Sequence, residues 1–89
     1  MDTTKTKLRF EEIYDDVGKI FSNRLNIDKK DILYKSRFEE DLNVDSLAAV
    51  EIEVIIEQKF GISFEDEEWV KIKTFGRLIS EIYGKKNKN

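Results

Sequence analysis

The chain has no cysteine and no histidine. Without cysteine it forms no disulfide and offers neither a thiolate ligand nor a thiol nucleophile. Without histidine it lacks the base of a Ser–His arrangement and the imidazoles of common zinc sites. Any thiol chemistry must therefore come from a group attached to the chain. Proline is absent throughout, and from Leu47 to Phe60 glycine is absent too, so nothing in that stretch interrupts a helix. No apolar run approaches the roughly eighteen residues of a membrane helix. Met1 to Lys7 is polar and does not resemble a secretory leader. The expectation is a protein of the cytoplasm with no membrane insertion. At 89 residues the chain makes one small domain with a thin core, and a complete enzyme with a deep pocket is not expected.

The charge that is present is unevenly placed. Net charge is −3, but between Glu39 and Glu68 eleven acidic residues stand against a single basic one, Lys59. The rest of the chain carries an excess of positive charge. An acidic face of this kind repels nucleic acid and attracts basic protein surfaces, although charge runs also serve simply to solvate helices.

Hydrophobic spacing predicts helices. Phe10, Ile13, Tyr14, Val17, Ile20, Phe21 and Leu25 recur at three- and four-residue steps from Leu8 to Leu25, with Asn26 placed as a left-handed cap. A long loop follows from Ile27 to Leu42, anchored by apolar residues and containing a helical turn near Asp28 to Leu33. The second helix spans Asp45 to Phe60. Ile52, Ile55, Ile56 and Phe60 share one broad face, while Leu47, Val50 and Val54 form a separate narrow stripe. That stripe is either a second core contact or an exposed patch for a partner. A short turn is expected from Asp66 to Val70. A last helix is expected from Phe75 to Tyr83, capped by Thr74, ended by Gly84, and facing Phe75, Leu78, Ile79, Ile82 and Tyr83 inward. No period-two strand pattern occurs. The expected class is all-α: a small four-helix bundle of three main helices and one short one. The domain is expected over residues 8–84, between disordered tails at 1–7 and 85–89.

The most informative stretch is Asp41-Leu42-Asn43-Val44-Asp45-Ser46-Leu47. Its residue types favour a helix start, which places Ser46 where an attached phosphate is best tolerated. Asp41, Asn43 and Asp45 match the first, third and fifth positions of a calcium loop. Ser46 then stands where glycine is needed and Ile52 where a bidentate carboxylate is needed, so a tight calcium site is not expected. A hydrolytic serine has no base. Ser46 is otherwise a helix cap and nothing more.

The run from Phe38 to Leu47, followed by Val50-Glu51-Ile52 and Glu57-Gln58-Lys59-Phe60-Gly61-Ile62, resembles the modification site and second helix of the acyl carrier proteins. The resemblance extends from about Leu8 to Tyr83. It implies that a separate phosphopantetheinyl transferase attaches 4′-phosphopantetheine from coenzyme A to Ser46, and that the chain is a non-catalytic carrier of thioester-linked acyl groups. It implies a supporting role for Asp45 with the magnesium used in the transfer, and no resident metal. Leu47, Val50, Glu51, Val54 and Glu57 then face partner enzymes: acyl ligases, acyltransferases or synthases with basic docking surfaces, met by a monomer. An aminoacyl or specialised-pathway carrier, or an unmodified helical interaction module, would use the same fold. The core near Ile55, Ile56 and Phe60 is the expected shelter for an acyl chain.

Departures from the family pattern are specific. Asn43 and Asn26 stand where glycines are usual, and asparagine is the other residue that tolerates left-handed backbone. Ala48, Gln58 and Lys59 replace commonly acidic positions. Glu65 replaces a proline, and Trp69 takes a place usually held by a small residue.

Overall fold

The computed structural model describes residues 9–87. The expected tail at 1–7, Leu8 and the last two residues lie outside that range. Four α-helices follow in order: α1 (Phe10–Leu25), α2 (Ser46–Phe60), α3 (Asp66–Lys71) and α4 (Phe75–Lys86), with a 3-10 turn at Lys29–Asp31 between the first two. No strand occurs among the described residues; Arg37 and Thr74 make one isolated antiparallel pairing.

The helices form where local chemistry starts and stops them. The Glu12 carboxylate accepts the backbone N–H of Arg9 at 3.1 Å, closing the first turn of α1. Asn26 ends that helix with φ 59°, and Gly61 ends α2 with φ 66°. Thr74 accepts from the Arg77 N–H at 3.2 Å and starts α4. Inside, Ile13, Val17 and Phe21 of α1 meet Ile52, Ile56 and Phe60 of α2 and Phe75, Leu78, Ile79 and Ile82 of α4. Each such side chain contributes roughly 1.5–3 kcal/mol through burial. Phe21 sits at the centre, edge-on to Phe75 at 5.3 Å and tilted against Phe38 at 5.4 Å.

The structure redraws several expected edges. Helix α4 passes through Gly84 to Lys86. Its final turn is held by tertiary contacts: Lys86 Nζ donates to the Phe60 carbonyl at 2.9 Å, and Lys85 pairs with Glu68 at 3.0 Å. Tyr83 is exposed rather than inward, resting edge-on against Phe10 at 5.6 Å. Ile55 is also exposed and is no part of the core. The buried side of α2 is the strict four-residue row Ile52, Ile56, Phe60, beginning at Ala48, and that row is narrower than the face the periodicity suggested.

The long loop is ordered by hydrogen bonds to the α3–α4 link. Phe38 N–H donates to Lys73 O at 2.9 Å, Phe75 N–H to Ser36 O at 2.9 Å, and Gly76 N–H to Tyr34 O at 2.6 Å. The loop's apolar anchors Ile32, Phe38, Leu42 and Val44 are buried. The segment leading into α2 is therefore fixed at both ends.

Candidate functional site

Residues 37–45 build a tight turn that delivers Ser46 to the surface. The Arg37 guanidinium holds the Asp41 carboxylate at 3.1 and 3.2 Å, and the same carboxylate accepts the Arg37 N–H at 2.8 Å. These hydrogen bonds hold the Asp41 carboxyl below its ordinary value and raise Arg37 above its own. Asp41 and Leu42 donate their N–H groups back to Arg37 O, and Asn43 donates to Glu39 O. Asn43 takes φ 56°, the left-handed geometry a glycine would supply, and asparagine tolerates it. The chain then turns inward, so that Val44 is buried and its N–H reaches Phe38 O at 2.8 Å.

Asp45 is the N-cap of α2. Its Oδ1 accepts the Ala48 N–H at 2.8 Å, so the cap is the aspartate and not the serine. Ser46 is the first helical residue and is exposed. Its hydroxyl stands at the positive end of a fifteen-residue helix, where first-turn N–H groups and the macrodipole favour an anion. The arrangement fits a phosphodiester at Ser46 Oγ. The calcium-loop alternative fits less well, because Asp41 is committed to Arg37 and Asp45 to the helix end.

Beyond Ser46 the α2 surface divides. Leu47, Val50 and Val54 are exposed at 63, 55 and 44%, which resolves the narrow stripe as surface rather than core. Ile55 extends it. Glu51 is exposed and pairs with Arg24 of α1. Glu57 is differently placed: it is half-buried, and its Oε2 accepts the Phe64 N–H at 2.9 Å, tying down the α2–α3 loop. Glu53 lies among negative charge; burial first, then Glu57 and Asp66, pushes its carboxyl above the ordinary value.

A cleft of about 530 Å³ opens beside Ser46, between the 37–46 turn and the α3–α4 region. Val44, Ala49, Trp69 and Ile72 give it apolar walls; Arg37, Glu40 and Lys73 stand among its charged lining. The sequence marks Trp69 as an unusual residue but not as a neighbour of Ser46, and it does not mark Arg37, Ile72 or Lys73 as site residues, although Lys71-Ile72 is part of the family resemblance. The signal available for Trp69 was its bulk at a position expected to be small. Nothing local marked the other three.

Residues 15–82 match the family model described as the phosphopantetheine attachment site. The chain is 39% identical over 70 residues to the acyl carrier protein of Wolinella succinogenes, covering 79% of this chain and 92% of that protein. It is 37% identical over 75 residues to the acyl carrier protein of Helicobacter hepaticus, covering 84 and 99%. Among solved structures it is similar to the acyl carrier protein of Enterococcus faecalis, with TM-score 0.75, 31% identity, and 86 and 98% of the two chains covered. The exposed serine at a helix start, the helical fold around it and these matches agree: the chain belongs to the acyl carrier proteins, non-catalytic carriers that are modified by phosphopantetheine.

Proposed function

We propose that Ser46 is the residue that receives 4′-phosphopantetheine, and that the chain presents thioester-linked acyl groups to partner enzymes in the cytoplasm as a monomer. The observation that carries this is the division of labour at the start of α2: Asp45 caps the helix, which leaves the exposed Ser46 hydroxyl free of any capping duty. When attached, the arm supplies the thiol that this cysteine-free chain lacks. The helix end stabilises the phosphodiester charge, and the 37–45 turn keeps the attachment point in one position. Asp45 uses Oδ1 for the cap, and its carboxylate stands next to Ser46 to support the magnesium of the transfer reaction.

Docking is assigned to Leu47, Val50, Glu51 and Val54, an exposed apolar stripe with acid beside it. Its partners are the phosphopantetheinyl transferase and acyl ligases, acyltransferases or synthases that present basic surfaces. Apolar anchors provide contact area, and the acidic surroundings speed encounter. Glu57 joins this surface with part of its carboxylate only, because Oε2 is engaged by Phe64.

The test is intact-protein mass spectrometry after incubation with coenzyme A, magnesium and a broad-specificity phosphopantetheinyl transferase. The wild type is expected to gain one phosphopantetheine and a folded Ser46→Ala variant none. No gain by folded wild type, or equal gain by both, overturns the assignment. The first of these outcomes would point to an unmodified interaction module.

A further inference from the structure

Trp69 is the chain's sole tryptophan, and it stands between two apolar regions. On one side it lines the cleft onto which Ser46 opens, together with Ala49 and Ile72. On the other its ring packs against Phe64, with centroids 5.3 Å apart and planes at 59°. Phe64 is buried and lies outside the lining of the cleft. The indole is thus a partition between the cleft and the Phe64 end of the core.

The partition is held from behind. Lys85 Nζ lies 5.2 Å from the centroid of the Phe64 ring and pairs with Glu68, the residue before Trp69, so α4 braces the aromatic pair. Helix α3 contributes no buried residue of its own. Its seat on the core depends on the half-buried Trp69 and on Ile72 just beyond its end. Swinging the indole aside would expose apolar surface and break the ring contact with Phe64, and both are costly.

We propose that Trp69 limits the length of the acyl group this carrier shelters. Short acyl groups rest in the cleft against the indole; longer ones meet the partition and project into solvent. The proposal builds on the reading of Ser46 as the attachment site. Removing the indole frees its own volume between the cleft and the Phe64 ring and lengthens the cargo that can be covered.

The experiment loads wild type, Trp69→Ala and Trp69→Phe in one step from butyryl-, octanoyl-, dodecanoyl- and hexadecanoyl-coenzyme A with a phosphopantetheinyl transferase, and follows thermal unfolding of each product. A methylene that gains full burial raises the midpoint by roughly 3–6 °C. The wild type is expected to gain stability over the short chains and then level off. Trp69→Ala should keep gaining into the longer chains, and Trp69→Phe, which keeps an aromatic wall of smaller area, should fall between. In the wild type the tryptophan emission should shift on loading octanoyl and change no further with hexadecanoyl. Identical chain-length profiles in wild type and Trp69→Phe, or wild-type stability that climbs through hexadecanoyl, overturn the proposal even if Trp69→Ala fails to fold. Mass spectrometry showing no loading of any folded variant overturns the Ser46 reading itself, and the length limit with it.

Discussion

Asp45 Oδ1 accepts the backbone N–H of Ala48 at 2.8 Å, which makes Asp45 the cap of α2 and Ser46, exposed beside it, the first helical residue. Asp45→Ala is expected to cost about 1 kcal/mol through loss of the cap. Asp45→Asn should keep the fold within a few tenths of a kcal/mol, yet slow phosphopantetheine transfer by removing the carboxylate beside Ser46. Urea unfolding and transfer rates measured on the same two variants separate the capping role from the supporting one. Equal transfer by Asp45→Asn and wild type would restrict Asp45 to the cap.

On the docking face, Glu51→Lys should reduce turnover with partner enzymes most at low salt, because screening removes the attraction of exposed charges beyond a Debye length. The same substitution loses the ion pair with Arg24, an exposed contact worth at most about 1 kcal/mol. Glu51→Gln controls for that loss. Glu57→Lys is a poorer probe, since it also releases the Phe64 N–H. Kinetics of Glu51→Lys that match wild type at every salt concentration would remove the acidic contribution to docking.

Two glycines of α4 should respond oppositely to alanine. At Gly76 an added Cβ would lie 2.5 Å from the Tyr34 carbonyl oxygen and 2.6 Å from its ring. The backbone there is pinned by the Gly76 N–H to Tyr34 O bond, so Gly76→Ala is expected to destabilise by roughly 1–3 kcal/mol. At Gly84 nothing lies within 4 Å of the added atom, and Gly84→Ala should stabilise by about 0.5–1 kcal/mol through helix propensity. Thermal midpoints of the two variants check both signs.

The Glu53 carboxyl is raised above its ordinary value of 4.5, by burial and by the neighbouring Glu57 and Asp66. Its ionised form is therefore disfavoured in the fold relative to the unfolded chain. Above the raised value Glu53 works against stability, and that penalty is relieved as pH falls through it towards 4.5. Glu53→Gln should accordingly be more stable than wild type at pH 7, with the advantage vanishing at low pH. Urea midpoints measured at both ends of this window test it; a Gln variant that is less stable at pH 7 would refute the sign.

The amino-acid sequence by itself determined the helices, because their signals are local: three- and four-residue apolar spacing, a run of helix-starting residue types before Leu47, Thr74 as a cap, and Asn26 and Gly61 as left-handed stops; that Asp45 and not Ser46 caps α2 is visible only in the fold. It also determined that Ser46 stands at a helix start, and that Asn43 has the tolerance for positive φ which its turn requires. Tertiary structure alone decided matters that depend on distant neighbours. Ile55 shares a helical arc with buried residues, but the packing of α2 leaves it in solvent. Glu57 reads as a surface acid until the chain folds back and brings the Phe64 N–H to it. Helix α4 outlasts Gly84 because Lys85 and Lys86 find Glu68 and the Phe60 carbonyl across the bundle. The cleft beside Ser46 exists only because the loop hydrogen-bonds to Lys73 and brings Arg37, Trp69 and Ile72 alongside it. Periodicity describes which face a residue occupies on its own helix; what covers that face is set by elements far away in the chain.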